Sequence, residues 1–118
     1  REFRNVNLID KAVRYMEENY NQEIGLEDVA KQVYLSTCYF SRLFKQVKGW
    51  SFTEYLTHVR MEEARKLLVN TSYSVAEIAM RVGFRDARYF SQVFKKHVGK
   101  TPGTYRRDEA SRILSSRE

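Results

Sequence analysis

The stretch Tyr39-Phe40-Ser41-Arg42-Leu43-Phe44-Lys45 decides the fold, because the chain contains its pattern twice. It recurs as Tyr89-Phe90-Ser91-Gln92-Val93-Phe94-Lys95. Further matched pairs flank it on both sides: Val29-Ala30-x-x-Val33 with Ile78-Ala79-x-x-Val82, Gly49-x-Ser51 with Gly99-x-Thr101, and Tyr55 with Tyr105. The offset between the copies is 49 residues at first and 50 afterwards, so the second copy has one extra residue in its turn. So many matches over about thirty residues indicate an internal duplication.

Each copy predicts a short helix, a tight turn and a second helix, which is the layout of a helix-turn-helix unit. A small residue, Ala30 or Ala79, stands where the two helices approach each other. Ser36 and Asp86 are typical N-caps for the second helices, and Gly49 is a typical C-cap. The apolar stripes of these helices are predicted to be buried: Phe40, Leu43, Phe44 and Val47 in the first copy, and Phe90, Val93 and Phe94 in the second.

Helical spacing also dominates outside the repeat. The first helix has an apolar stripe of Ile9, Ala12, Val13, Met16 and Tyr20. We expect Asn7 to cap it. Ser51 with Glu54, and Ser74 with Glu77, are typical capping boxes for two further helices. Thr101-Pro102 predicts the start of a last short helix, and the tail from Asp108 either extends that helix or frays.

The helix that begins after Ser51 is predicted to run to about Val69 and to bury different sides at its two ends. Phe52, Leu56 and their neighbours lie on one face, and Met61, Ala64 and Leu68 on nearly the opposite face. A linker between two small cores requires this pattern, whereas a helix buried all round in a single core is the alternative. We therefore expect four parts: a first helix-turn-helix subdomain over residues 1–50, the linker helix over 51–70, a second subdomain over 71–107 and a polar tail over 108–118.

The charge is unevenly distributed along a chain whose formal net charge is +6. Residues 1–28 contain seven acidic and four basic residues. Residues 29–53 contain four basic residues and residues 87–107 contain six, and neither segment contains an acid. Both basic segments cover the second helices of the repeat. A basic balance suits an acidic partner, although a solvated basic surface would give the same composition.

With the phenylalanines facing inward, the opposite faces of the two helices carry side chains that read nucleic acid. The exposed residues would be Cys38, Ser41, Arg42 and Lys45 in the first copy, and Arg88, Ser91, Gln92 and Lys95 in the second, with Ala87 at the helix start. Arginine pairs with guanine and glutamine with adenine, whereas lysine suits phosphates. The pattern predicts double-stranded DNA binding. The alternatives are a helical protein-interaction module and RNA binding, which the narrow major groove of A-form RNA disfavours.

Little in the sequence favours an enzyme, a cofactor or a metal. His58 and His97 do not have a metal-ligand spacing, Cys38 has no evident base partner, and a glycine-rich phosphate loop is missing. A single cysteine favours a reducing, cytoplasmic setting. We find no apolar run of the roughly 18 residues that a membrane span needs. We therefore expect no catalytic residues, no cofactor, no metal and no membrane association.

The sequence resembles the AraC/XylS family of transcription regulators over roughly residues 8–107. The resemblance is most specific in Ile78-Ala79, in Val82-Gly83-Phe84-Arg85-Asp86, in Tyr89 to Lys96, and in the ending Gly99-Lys100-Thr101-Pro102-Gly103-Thr104-Tyr105-Arg106. The segment Arg60 to Leu68 also fits the family.

The resemblance implies an all-α fold of seven helices, with two helix-turn-helix subdomains joined by a long linker helix. It implies two recognition helices in successive major-groove segments of promoter DNA. Carried over by position, the implied DNA contacts are Thr37, Cys38, Ser41, Arg42, Ala87, Arg88, Ser91 and Gln92. Many members have arginine where Gln92 stands, and a larger residue where Cys38 stands.

The resemblance also implies partners beyond DNA. These are RNA polymerase, with activation of transcription, and an N-terminal sensor or phosphorylated receiver domain that this sequence lacks. The sequence of the linker segment resembles the response-regulator members of the family slightly more than the other members.

Overall fold

The structure, a computed structural model, describes residues 2–117, with side chains for 3–116. Seven α-helices and no strand lie within these residues, which confirms the predicted all-α fold. The helices are α1 (Glu2–Asn19), α2 (Leu26–Gln32), α3 (Thr37–Lys48), α4 (Phe52–Asn70), α5 (Val75–Arg81), α6 (Ala87–Val98) and α7 (Pro102–Arg117). Over the same residues, none of the helices combines the length and the apolar character needed to cross a membrane.

The chain divides into two compact units, Arg1–Val59 and Arg60–Glu118, and the division falls inside α4. Unit 1 contains α1, α2, α3 and the first part of α4. Unit 2 contains the rest of α4 with α5, α6 and α7. Each unit therefore has one copy of the repeat. The finer limits of 1–50, 51–70, 71–107 and 108–118 remain a proposal.

The core of unit 1 is built around three phenylalanines. The rings of Phe40, Phe44 and Phe52 contact one another edge to face, with centroids 5.7 to 6.2 Å apart. Around them pack the apolar stripes of the other helices: Ile9, Ala12, Val13 and Met16 of α1, Val29 and Ala30 of α2, and Leu56 of α4. Burial of each phenylalanine contributes roughly 1.5–3 kcal/mol, so this cluster fixes how α3 is rotated.

The core of unit 2 repeats this plan with the second copy. Phe90 and Phe94 of α6 are fully buried, and their rings lie 5.9 Å apart. The ring of Phe84 contacts that of Phe90 with centroids 5.3 Å apart, and the ring of Tyr105 contacts that of Phe94 with centroids 5.6 Å apart. The second half of α4 contributes Met61, Ala64 and Leu68, and α5 contributes Ile78 and Ala79. The side of α4 predicted for each end is therefore the side that is buried there.

The helix ends confirm the predicted caps. The Ser36 hydroxyl accepts a hydrogen bond from the Tyr39 N–H at 3.2 Å, and one Asp86 carboxylate oxygen accepts from the N–H groups of Arg88 and Tyr89. Ser51 and Glu54 form the reciprocal capping box of α4. The hydroxyl of Ser74 accepts from the Glu77 N–H at 3.1 Å. These bonds satisfy N–H groups that the first turn of a helix leaves without partners.

At the ends of the chain, one prediction is wrong and one open alternative is decided. Asn7 is not a cap, because α1 already begins at Glu2 and Asn7 lies exposed in its interior. Residues 2–6 contain no glycine or proline that would stop a helix from starting earlier. Of the two alternatives for the tail from Asp108, the structure shows extension of the last helix, because α7 continues to Arg117. Nothing after Gly103 breaks a helix, and Arg112 and Glu109 form an ion pair at 2.8 Å across one turn.

The turns of the two helix-turn-helix units adopt the same left-handed backbone conformation with different residues. Tyr34 adopts a left-handed conformation with φ of 59°, and its counterpart Gly83 has φ of 99°. In both copies the next residue donates a backbone hydrogen bond to the small residue of the preceding helix, from Leu35 to Ala30 and from Phe84 to Ala79. The extra residue of the second copy lies in this turn, which has five residues between helices where the first has four.

Glycine-to-alanine substitutions test the left-handed C-caps. Gly49 and Gly99 have φ of 85° and 94°, and a Cβ would meet no atom within 4 Å at either position. Conformational strain alone should therefore lower the free energy of unfolding by about 1 kcal/mol in Gly49→Ala and in Gly99→Ala, measured by urea denaturation. Gly103→Ala is the matched control. It lies in α7 with open space for a Cβ and without a positive φ, so it should raise stability by up to about 1 kcal/mol. Equal effects at all three glycines would contradict the explanation.

Candidate nucleic-acid interface

The outward face of α3 carries the first set of predicted contact residues. Cys38, Arg42 and Lys45 are exposed, whereas Thr37 and Ser41 are partly buried. Cys38, Ser41, Arg42 and Lys45 lie on the side of α3 opposite the buried stripe of Phe40, Leu43 and Phe44, whereas Thr37 is the first residue of the helix. The structure therefore brings four residues of the first set together on one surface and places Thr37 in the first turn of the same helix.

The outward face of α6 carries the second set in the same arrangement. Arg88, Gln92 and Lys95 are exposed, whereas Ala87 and Ser91 are partly buried. Each residue of this set is exposed or partly buried in the same way as its counterpart on α3. The matched pairs are Thr37 with Ala87, Cys38 with Arg88, Ser41 with Ser91, Arg42 with Gln92, and Lys45 with Lys95. The repeat thus presents two equivalent surfaces that differ in the side chains at their centres.

The positions of these surfaces follow from local sequence. A helix has about 3.6 residues per turn, so two buried phenylalanines four residues apart fix one side of the helix inward. The caps at Ser36 and Asp86 then set where α3 and α6 begin, and so which residues stand in the exposed first turn. The first turns of both helices lack acidic residues, and their last turns carry Lys45 with Lys48, and Lys95 with Lys96.

One acidic residue does approach the surface of α3. The Glu54 carboxylate lies 3.8 Å from the Lys45 ammonium, and both side chains are about three-fifths exposed. The hydrogen bond from the Ser51 N–H lowers the pKa of Glu54, and the Ser51 hydroxyl and the charge of Lys45 lower that pKa further. An exposed pair of this kind contributes little to stability, so Lys45 can exchange Glu54 for another anion.

Sequence reasoning assigned no role to Tyr39 and Tyr89, although both lie on these helices with exposed side chains. Their signal was the repeat itself, since both copies read Tyr-Phe-Ser. The Lys45–Glu54 pair was also missed, because two residues nine apart in different helices leave no periodic trace in a sequence.

Comparison with known proteins agrees with this geometry. The sequence profile of a family described as "helix-turn-helix domain" matches residues 29–108, which include both copies of the repeat. Regulatory protein PocR of Salmonella typhimurium is 43% identical over 96 residues, which are 81% of this chain and 32% of PocR. The chain spans about a third of the length of the curated relatives it matches.

Solved structures show the same fold. The C-terminal domain of AraT, a response regulator from Geobacillus stearothermophilus, superposes with a TM-score of 0.83 and 41% identity, covering 86% of this chain and 84% of that domain. The DNA-binding domain of AdpA, solved in complex with a target DNA, gives a TM-score of 0.84 with 29% identity, covering 88% and 94%. The chain belongs to this helix-turn-helix family, of the AraC type, and is a DNA-binding domain of the kind found in transcription regulators.

The lowered pKa of Glu54 predicts how the capping box of α4 responds to pH. A carboxylate whose pKa is lower in the folded than in the unfolded protein stabilises the fold at pH values above its pKa in the unfolded chain. This stabilisation is lost as the pH falls through the pKa of the carboxylate in the folded protein. In an NMR titration, the Glu54 carboxyl should titrate below the ordinary value of 4.5. In Lys45→Ala the midpoint should rise but remain below 4.5, because the Ser51 N–H is the largest cause. A full return to 4.5 in that variant would contradict the order of causes.

Proposed function

We propose that this chain is the sequence-specific DNA-binding part of a bacterial transcription activator, which reads an asymmetric promoter site with α3 and α6. The observation that carries the proposal is the duplicated recognition helix. Both copies bury the same stripe, and both expose polar and basic side chains at the positions that face bases when a helix enters a major groove. Two such helices in one chain can each read a separate segment of the major groove.

In this proposal the residues of each surface have distinct roles. Arg42 and Arg88 are the leading base readers, because guanidinium groups bind guanine with two hydrogen bonds. Gln92 stands at the position equivalent to Arg42 and suits adenine. The small side chains of Thr37, Cys38, Ser41, Ala87 and Ser91 let the helices approach the base edges closely. Lys45 and Lys95 lie further along α3 and α6 and bind phosphates.

The whole protein is proposed to be longer than this chain. The chain spans only about a third of its curated relatives, and AraT, which it matches, is a response regulator of which the C-terminal domain was solved. We expect an N-terminal sensor or receiver domain to control DNA binding. We also expect the bound protein to contact RNA polymerase and the regulator to act in the cytoplasm, where promoter DNA is found.

A protein-interaction module is the second class of function that the basic surfaces would suit. The match to the AdpA domain in complex with target DNA favours DNA as the partner. The recognition helices also expose side chains typical of base contacts, whereas a purely electrostatic protein partner would need only the lysines. We propose binding without catalysis, since the relatives are regulators by description.

Selection of bound duplexes from a random DNA library, followed by sequencing, tests the proposal. We expect two short preferred blocks, one for each recognition helix, with a spacing of about one helical turn. A single enriched block would show that only one helix reads bases. Absence of any enrichment, with binding retained at low salt, would contradict sequence-specific binding and leave contact with phosphates alone.

Two substitutions should separate base reading from phosphate binding. Arg42→Ala should weaken binding to the selected site by roughly 1–3 kcal/mol and relax preference at one base position. Lys95→Ala should weaken binding to all duplexes alike. It should also reduce the salt slope, which is the slope of the logarithm of the binding constant against the logarithm of the salt concentration, by about one, because one counterion fewer is released. Arg42→Lys is the charge-matched control. It keeps the positive charge and loses the two-bond geometry, so it should relax preference with the salt slope unchanged. Unchanged site preference in Arg42→Ala would contradict the role given to Arg42.

A further inference from the structure

Two tyrosines on the recognition helices have exposed rings that the protein core does not need. Tyr39 is 39% exposed and Tyr89 is 58% exposed, whereas the phenylalanine that follows each of them is fully buried. Each tyrosine is the third residue of its helix, and the two are matched positions of the repeat. A large aromatic ring that stays partly exposed gains less from burial than the fully buried phenylalanine beside it.

The fold uses the backbone of these tyrosines and leaves the phenol groups unused. The N–H of Tyr39 donates to the Ser36 hydroxyl, and the N–H of Tyr89 donates to the Asp86 carboxylate. Neither phenol oxygen has a hydrogen-bond partner among the side chains at 3–116. The Tyr89 ring lies 5.9 Å from the Phe84 ring, which supports that ring at the protein surface. Capping requires any residue with an N–H at this position, so it does not explain a tyrosine.

The position of each tyrosine on its helix places it beside the base-reading face. At about 100° per residue, Tyr39 lies about 60° around α3 from Arg42 and about 100° from Cys38. Tyr89 has the same relation to Gln92 and Arg88 on α6. When the centre of such a face points to the floor of a major groove, a flank at this angle points to the groove wall, which consists of sugars and phosphates.

We propose that Tyr39 and Tyr89 are positioning residues that donate phenolic hydrogen bonds to DNA phosphates on the walls of the groove. The inference rests on the proposed function and adds one uncharged phosphate contact to each recognition helix. A phenol is a neutral donor, so it orients the helix without releasing a counterion. The rigid ring loses little conformational entropy when it is ordered, since only two side-chain torsions are fixed.

The test compares tyrosine-to-phenylalanine variants, which keep the ring and remove only the hydroxyl. Tyr39→Phe and Tyr89→Phe should each weaken binding by about three- to tenfold, as expected for loss of a hydrogen bond to a charged group. The loss should be equal on the selected site and on a generic duplex, and the salt slope should stay at the wild-type value. Tyr15→Phe, which makes the same change on α1, is the control and should leave the affinity unchanged.

Each outcome decides the proposal. Wild-type affinity in both variants would overturn it, because the hydroxyl groups would then have no partner on DNA. A loss confined to the selected site would also overturn it, since that result makes the tyrosines base readers. If the wild-type protein selects no sequence, the proposed function fails by itself. The comparison on a generic duplex still tests the two tyrosines, because phosphates are present in every sequence.

Discussion

Burial of two phenylalanines one turn apart is the constraint on which the rest of each unit depends. Phe40 with Phe44, and Phe90 with Phe94, are fully buried. Replacing a buried phenylalanine by alanine typically costs about 3–5 kcal/mol, a large part of the stability of a small domain. Rotation of α3 or α6 about its axis would expose these rings, so it is disfavoured by a similar amount. The outward surface of each recognition helix is therefore held in place by its inward side.

The same constraint explains why the repeat extends beyond the recognition helices. Tyr55 contacts Phe44 and Tyr105 contacts Phe94, each with ring centroids 5.6 Å apart. The two tyrosines come from the next helix in each copy and close the same side of the core. Each helix-turn-helix unit thus needs a third helix to complete the burial of its phenylalanines. A duplication that omitted Tyr55 or Tyr105 would leave a buried ring partly uncovered.

Periodicity and cap chemistry were enough to predict the helices, most of each buried stripe and the caps at Ser36 and Asp86, because these depend on residues within a few positions of each other. Tyr20, Val47 and Val93 were also predicted to be buried and are only partly so. The start of α1 was not predictable in this way. Asn7 has the chemistry of a cap, but the helix begins at Glu2 and continues through it, since residues 2–6 contain no residue that breaks a helix. The residues proposed for the DNA surface lie on α3 and α6, and their contacts with DNA stay a prediction. The Lys45–Glu54 pair could not be predicted, because it depends on where α4 lies against α3 within unit 1.

That pair makes the two recognition surfaces unequal in charge. Ser51 and Glu54 begin α4, whereas the matching positions at the start of α7 hold Thr101 and Thr104, whose hydroxyls lie 2.9 Å apart. Lys45 therefore faces a carboxylate that Lys95 does not meet at the matching position. A phosphate bound by Lys45 competes with Glu54 for the ammonium, and the carboxylate repels the nearby DNA. Since counterion release by lysine supplies most of the affinity for generic DNA, the surface of α6 should hold DNA of any sequence more strongly than the surface of α3. In the proposed function, binding by α3 then depends more on the bases assigned to Arg42.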